Sequence, residues 1–374
     1  MVLIAVAFLF GAFIGSFLNV CIHRLPRNES VVHPPSRCYS CGTHVQWYDN
    51  LPILSWLILR GRCRWCYAPF SIRYLLIEAL VGGITAAVAW AAFQPEHRWT
   101  AWWAQAAGMQ EAMAQALACA AILALTYYLI VSVFTDLDHM IIPDELTKSF
   151  QVAAPFLAAL TGANLAFGWA PAGWLLKHDA FGGVATAVTP FVTAVAAALA
   201  VLWLSLPLAR VVYGRFCAGP MAWTADDHRG FRTGVLWFTA AMIPPTVVAV
   251  WAIGHPGPIR VFGLALAQAV LGSLAGWMSL YLIGLVGTVV FRRNAMGFGD
   301  VKFLAPIGCF LGPVGVVYAF FCAAIIGTAI GIPMRLLRAR REIPFGPYLA
   351  LGAAVVLVWG AGIHHWLMGS VMGR

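Results

Sequence analysis

Residues 112–139 read AMAQALACAAILALTYYLIVSVFTDLDH, and this stretch decides the class of fold. It carries no charged residue from Ala112 to Thr135, which is long enough for a helix that needs about 20 residues to cross a bilayer. It is rich in Ala and Leu and lacks the polar and apolar alternation typical of a strand, so it predicts a membrane helix. Asp136 follows at once. A carboxylate near lipid costs roughly 2.5 to 3.5 kcal/mol, which indicates a functional acid.

The composition of the whole chain agrees with this stretch. Of 374 residues, 61% are hydrophobic and 10% are charged, against about 25% charged residues in a typical soluble domain. The apolar stretches are 2–21, 79–95, 112–135, 149–176, 180–209, 233–259, 261–291, 303–334 and 343–373. Since Gly312-Pro313 is a natural break in the eighth stretch, the sequence predicts an all-α polytopic membrane protein with about ten transmembrane helices in the lipid bilayer.

The basic residues predict the orientation of the chain. The segment after the first stretch contains many arginines: Arg24, Arg27, Arg37, Arg60, Arg62, Arg64 and Arg73. The positive-inside rule therefore predicts that this segment is cytoplasmic, that the N-terminus is outside, and that Asp136 and Asp300 both lie at the cytoplasmic face. Arginines near anionic lipid also explain the net charge of +9. Without a basic helix face or an aromatic stacking platform, we expect no nucleic-acid partner.

Two pairs of cysteines form the strongest single motif. Cys38-Tyr39-Ser40-Cys41 and Cys63-Arg64-Trp65-Cys66 each have the C-x-x-C spacing. Four thiolates in this pattern suit a closed, structural zinc site, and about fifty residues are too few to form a good core without such a staple. Two disulfides or unpaired thiols are the alternatives, and a cytoplasmic location disfavours disulfides. The sequence therefore predicts a small cytoplasmic four-Cys zinc cassette.

A second candidate acid, Asp300, lies in Met296-Gly297-Phe298-Gly299-Asp300-Val301-Lys302, after another long apolar stretch. Two neighbouring carboxyls share a proton, so one can accept a proton while the other donates one. Gly297 and Gly299 support this role because they leave room for an extended substrate backbone. The glycines alone also fit tight helix packing.

Two further aspartates compete with Asp136 for the role of first acid. Asp144 follows Pro143 and precedes a helical pattern, so we expect it to be a helix N-cap. Asp138 has no such structural explanation in the sequence. Desolvation at the end of a span favours Asp136 over Asp138.

Several blocks together resemble the bacterial prepilin peptidases, the type IV leader peptidases, which are membrane aspartic proteases of the GxGD type. The blocks are GSFLNVCIHRLP (15–26), the cysteine tetrad with WYDNLP (47–52), SIRY (71–74) with Glu78, Asp136 with Ile142-Pro143-Asp144, GFGD (297–300) and IPFGPYLA (343–350). They occur in the family's order and cover roughly residues 1–150 and 265–360.

The resemblance implies an enzyme of the bacterial inner membrane that cuts the leaders of type IV prepilins and type II secretion pseudopilins at the cytoplasmic face. Many members also methylate the new N-terminal amine with S-adenosylmethionine. Carried over by position, Asp136 and Asp300 are the catalytic pair, and Cys38, Cys41, Cys63 and Cys66 are the metal ligands. The resemblance assigns no residue to the methyl donor and no oligomeric state.

The expected organisation is a first span (1–21), the cassette (22–74), a first catalytic block (75–154), an insert (155–262) and a second catalytic block (263–374). The insert is expected to add two spans around a loop from Pro207 to Gly234. Asp226, Asp227 and His228 in that loop can bind a metal, although a solvated loop is the simpler interpretation. The alternative functions are a peptidase without methylation and a non-catalytic scaffold or transporter whose acids pack helices or line an ion pathway.

Overall fold

A computed structural model of the chain describes residues 2–92, 103–162, 184–216, 225–292, 295–338 and 344–371. The chain divides into two compact units, and each is described by itself. Unit 1 comprises Met1–Arg98 and Ile122–Pro143, and unit 2 comprises Trp99–Ala121 and Asp144–Arg374.

The described residues are mainly helical, and the cassette between the first and third helices is mostly irregular. The helices are α1 (Val2–Arg24), α2 (Leu54–Ile58), α3 (Arg73–Ala92), α4 (Glu111–His139), α5 (Asp144–Thr161), α6 (Val184–Phe216), α7 (Ala225–Ile253), α8 (Pro258–Phe291), α9 (Phe298–Arg338) and α10 (Gly346–Val371). Seven of the described helices, all but α2, α5 and α10, are long and apolar enough to cross a membrane. The all-α membrane class is confirmed, and the count of about ten spans stays a prediction.

Helix α9 is interrupted where the sequence predicts a break. Gly312 has φ 70° and ψ 174°, which no residue of a regular helix adopts, and Pro313 follows it. This non-helical residue divides α9 into a first part, 298–311, and a second part, 313–338. The split at Gly312-Pro313 is therefore confirmed, and the first part alone carries the GxGD box.

In unit 1, α1 packs closely against α3 through the G-x-x-x-G spacing of Gly11 and Gly15. A Cβ atom on Gly15 would lie 2.9 Å from the Cα of Glu78, so only glycine permits this approach. The Asn19 side chain donates to the Tyr74 carbonyl at 3.2 Å. The polar residues at the end of the first span thus tie α1 to the beginning of α3.

In unit 2, the same kind of contact joins α8 to the first part of α9. A Cβ atom on Gly276 would lie 2.6 Å from the Leu304 carbonyl oxygen, and Gly272 and Gly308 approach each other even more closely. Small residues that let two backbones meet are typical of helix packing in lipid. This packing holds the helix that begins with the GxGD box against α8.

Candidate functional site

The four cysteines of the cassette converge in the folded chain. Their Sγ atoms all lie within 4.8 Å of one another, and those of Cys38 and Cys66 are 3.7 Å apart. A tetrahedral ion with metal–sulfur bonds of about 2.3 Å separates its sulfurs by about 3.8 Å. The predicted convergence is therefore confirmed, and the cluster can hold a metal ion.

Both halves of the cluster use the same turn. The amide of the first cysteine, Cys38 or Cys63, donates to the carbonyl five residues later, at 2.9 Å in each case. The residue after the second cysteine is left-handed in both turns, with φ 72° at Gly42 and 58° at Tyr67. The repeated C-x-x-C spacing therefore folds into two matching turns that present their sulfurs to one point.

The thiols of the cluster differ in their pKa. A hydrogen bond with the Thr43 hydroxyl lowers the pKa of the Cys41 thiol to about 6. The Ala68 amide lowers the pKa of Cys66, but desolvation and the neighbouring thiols outweigh it and raise that pKa to about 12. All four cysteines are free, and 3.7 Å is far from the disulfide length of about 2.05 Å. A divalent cation would stabilise the fully deprotonated set.

Asp136 lies in unit 1, three residues before the end of α4, and only 6% of it is exposed. The same helix end is held by Arg73. Its guanidinium pairs with Asp138 at 2.6 Å, approaches the Phe134 carbonyl at 3.5 Å and lies over the Phe134 ring at 5.0 Å. Asp138 therefore has the structural partner that the sequence did not reveal. This ion pair favours Asp136 as the candidate acid of this helix.

Asp300 lies in unit 2, in the first turn of α9, and is half-buried. Its amide donates to the Gly297 carbonyl at 3.2 Å, which closes the turn that begins the helix. A Cβ atom on Gly297 would lie 3.6 Å from the Asp300 Oδ2 atom. A side chain at Gly297 would thus touch the carboxylate, whereas glycine leaves that side of it open.

Asp144 was predicted to be a helix N-cap; it is the first residue of α5, and its role as a cap stays a prediction. Its carboxylate pairs with Lys302 at 2.6 Å and with Lys148 at 2.9 Å. The Lys302 ammonium also lies 4.7 Å from the centre of the Phe298 ring. Asp144 is therefore tied to the GxGD box inside unit 2. Sequence reasoning missed Lys302, although a cation two residues after Asp300 and beside an apolar span needs a partner.

Aromatic side chains surround Phe298 of the GxGD box. Phe231 of α7 meets it edge to face at 4.9 Å between ring centres, and Trp277 of α8 does so at 5.8 Å. The predicted loop from Pro207 to Gly234 is shorter than expected, since α6 continues to Phe216 and α7 begins at Ala225. Phe231 is thus a buried helical residue of the insert. The side chains of Asp226 and Asp227 lie outside the described residues.

Asp136 and Asp300 belong to different units, so their pairing stays a prediction. Among the predicted site residues, the four cysteines are the ones that the described structure brings together. Gly297 lies beside Asp300, as expected.

Comparison with known proteins identifies two domains in the chain. A family model described as "Bacterial Peptidase A24 N-terminal domain" matches residues 9–92, which include the cassette and α3. A second, described as "Type IV leader peptidase family", matches residues 236–332, which include the GxGD box. The second match begins within the range 155–262 that the sequence predicted as an insert. No solved structure matches the chain.

Curated proteins extend the similarity along the chain. A "Prepilin leader peptidase/N-methyltransferase" of Aeromonas hydrophila is 26% identical and covers 97% of this chain and 93% of its own. One of Myxococcus xanthus is 38% identical over 42% of this chain and 41% of its own. A "Type 4 prepilin-like proteins leader peptide-processing enzyme" of Escherichia coli is 24% identical over 93% and 90%. With both domains present and in order, this multi-pass membrane protein belongs to the type IV leader peptidase family, the family of the prepilin leader peptidases.

Proposed function

We propose that the protein cleaves the leader peptides of type IV prepilins or type II secretion pseudopilins and then methylates the new N-terminal amine. The observation that carries this proposal is the similarity over 97% of the chain to a relative named for both activities. The four-cysteine cluster matches the N-terminal part of the family pattern, and the two candidate acids match its catalytic part. A methylation assay distinguishes this function from that of a peptidase alone.

The proposed cleavage uses Asp136 and Asp300 as one catalytic pair. Two carboxyls close together share a proton, so one is ionised and the other is protonated. The ionised carboxylate accepts a proton from water as the water oxygen attacks the scissile carbonyl carbon, and the other carboxyl donates to the carbonyl oxygen. The carbon–nitrogen bond then breaks as the leaving amine takes up a proton. No covalent bond forms between enzyme and substrate.

The local structure of each acid supports this assignment. Asp136 is buried at the end of α4, which shields its carboxyl from bulk water. The open side of Asp300 next to Gly297 allows a substrate backbone to approach. The ion pairs of Asp138 and Asp144 leave those two carboxylates engaged elsewhere.

Zinc is the ion that we propose for the four-cysteine cluster. A closed set of four sulfurs leaves no coordination position for water, so the ion would have a structural role. It would hold the two matching turns together in a segment that has little core of its own. We place the cassette and both acids at the cytoplasmic face of the bacterial inner membrane, with the N-terminus outside, because the arginines of the cassette follow the positive-inside rule.

The first experiment tests the acids. Purified protein in detergent is incubated with a prepilin, and the shortened product is measured. Asp136→Asn and Asp300→Asn should each abolish cleavage in protein that remains folded, because the mechanism needs both carboxyls. Asp138→Asn serves as the control and should retain cleavage. Normal processing by either of the first two variants would refute the aspartyl mechanism.

The second experiment tests methylation with S-adenosylmethionine labelled in its methyl group. We expect label in the mature pilin when wild-type protein is present. Cleavage without transfer of label would establish the peptidase alone. If folded protein yields neither cleaved pilin nor methylated pilin, the result favours the scaffold or transporter.

A further inference from the structure

A cavity of about 170 Å³ lies inside unit 1, between the end of α1, the cassette and the beginning of α3. It is open on one side, so a ligand larger than this volume can lie partly within it. Its wall combines buried charges with aromatic rings, whereas helix packing in lipid needs neither. The residues used below are Arg24, Trp56, Gly61 and Glu78.

Glu78 is the buried acid of this cavity. Only 8% of it is exposed, and its carboxylate accepts hydrogen bonds from the Ile53 amide at 2.7 Å and from the Ser16 hydroxyl. Both donors are neutral, and no ion pair to Glu78 forms among the described residues. Burying a charge is expensive unless it is paired. The cavity therefore offers a buried acid whose ionised form a cationic ligand would stabilise.

Trp56 supplies an unused donor. Its indole Nε1 atom is buried and has no acceptor among the described residues. The ring packs against Gly61, where a Cβ atom would come within 2.8 Å of it. A buried N–H without an acceptor costs about 1 to 3 kcal/mol, and a ligand oxygen or nitrogen would remove that cost.

Arg24 provides the opposite charge. It is 8% exposed, and its guanidinium donates to the Ser30 carbonyl at 2.9 Å. That is one of the five hydrogen bonds that a guanidinium can give, counted among the residues that the structure describes. Arginine suits a carboxylate because its planar donors match the two oxygens. The residues that line the cavity thus include an arginine, a glutamate and an indole N–H donor.

We propose that this cavity binds the methyl donor, S-adenosylmethionine. Glu78 would face the positively charged sulfonium and amino end, Arg24 would bind the carboxylate, and the Trp56 N–H would donate to the adenosyl group. The inference rests on the methylation part of the proposed function and assigns it a site that the family resemblance left open.

The reaction at such a site balances without another reactant. The bond between the methyl carbon and sulfur breaks, and its electron pair stays on sulfur, which becomes the neutral thioether of S-adenosylhomocysteine. The lone pair of the neutral N-terminal amine forms the new carbon–nitrogen bond. The extra proton on nitrogen then passes to solvent.

Binding is tested by calorimetry on the full-length protein in detergent, with S-adenosylmethionine and S-adenosylhomocysteine as separate probes. Trp56→Phe keeps the ring and removes the donor, so it should weaken both probes about 10-fold. Glu78→Gln keeps the shape and removes the charge. It should weaken S-adenosylmethionine about 10-fold more than S-adenosylhomocysteine, because only the first carries the sulfonium charge.

Two matched substitutions serve as controls. Trp90→Phe changes an indole on the same helix as Glu78 that is 54% exposed, and Glu145→Gln changes an exposed acid of unit 2. Both should bind the two probes as wild type does. Thermal unfolding of every variant reports whether it is folded, and Trp56→Phe remains informative if Glu78→Gln is not.

The outcomes separate this inference from the proposed function. Suppose that wild type methylates pilin and that Trp56→Phe and Glu78→Gln bind both probes normally. The methyl donor then binds elsewhere, so this site is overturned while the proposed function stands. Wild type that neither binds the donor nor methylates would overturn both. An equal loss of both probes in Glu78→Gln would overturn the role of its charge. Displacement of S-adenosylmethionine by vesicles of anionic phospholipid but not of neutral phospholipid would assign the cavity to a lipid headgroup.

Discussion

Breaking the Lys302–Asp144 ion pair should slow prepilin cleavage although neither residue is a proposed catalytic acid. Lys302 is two residues from Asp300 in the first turns of α9, and its ammonium is 2.6 Å from the Asp144 carboxylate. The pair joins α5 to α9 within unit 2. We therefore expect it to fix the turn that carries Asp300, so that its loss lowers kcat more than it raises KM.

The size of the effect follows from the burial of the two side chains. Asp144 is 42% exposed, so solvent screens the pair, but Lys302 is only 12% exposed and also lies over the Phe298 ring. Exposed pairs contribute about 0.2 to 1 kcal/mol, and breaking buried ones costs about 3 to 5 kcal/mol. We place this pair between them, at about 1 to 2 kcal/mol. That free energy corresponds to a loss of about 5- to 30-fold in kcat/KM.

A double-mutant cycle measures this coupling. Asp144→Asn and Lys302→Gln should each lower kcat/KM by that factor, and the double variant should be no slower than the worse single variant. Lys148→Gln is the matched control, since it removes the other cation of Asp144 in an exposed pair four residues apart and should change the rate about twofold or less. If the two single effects multiply in the double variant, or if Lys148→Gln is as slow as Lys302→Gln, the reasoning fails.

Three other predictions concern the cassette and the insert. Purified wild-type protein should contain one zinc per chain, and Cys38→Ser with Cys66→Ser should remove it; elemental analysis that finds a metal-free wild type with four free thiols would contradict the assignment. Replacing Asp226, Asp227 and His228 together by alanine should leave cleavage within a few-fold of wild type, whereas Phe231→Ala should lower it about 10-fold, because it removes a ring packed on Phe298. Cleavage assays of the folded triple variant and of folded Phe231→Ala check these two expectations. A large loss in the triple variant would give the loop a share in catalysis.

The sequence predicted those features that depend on local spacing. The two C-x-x-C pairs each need only one short turn, so their spacing already contained the geometry of the cluster. Gly312-Pro313 breaks a helix through its own backbone preferences, and the break occurs there. The apolar stretches predicted helices because their length and composition allow little else in lipid.

Partners that are distant in sequence were not predictable in this way. Arg73 and Asp138 are separated by 65 residues, and Asp144 and Lys302 by 158. Charge alone gives no reason to join one such pair rather than another, because the choice depends on which helix ends meet. The sequence therefore left Asp138 without a structural role and assigned none to Lys302. Phe231 was misplaced for a related reason, since the charges around it suggested a solvated loop while α7 buries its ring.

The position of Phe231 also changes how the range 155–262 relates to the rest of unit 2. A span pair added only to preserve the orientation of the chain would need no contact with the catalytic block. Phe231 instead packs on Phe298, whose neighbours Gly297 and Gly299 precede Asp300, and it stacks on Tyr281 of α8 at 5.5 Å. Since these rings are interlocked, a change in α7 would be transmitted to the turn that holds Asp300.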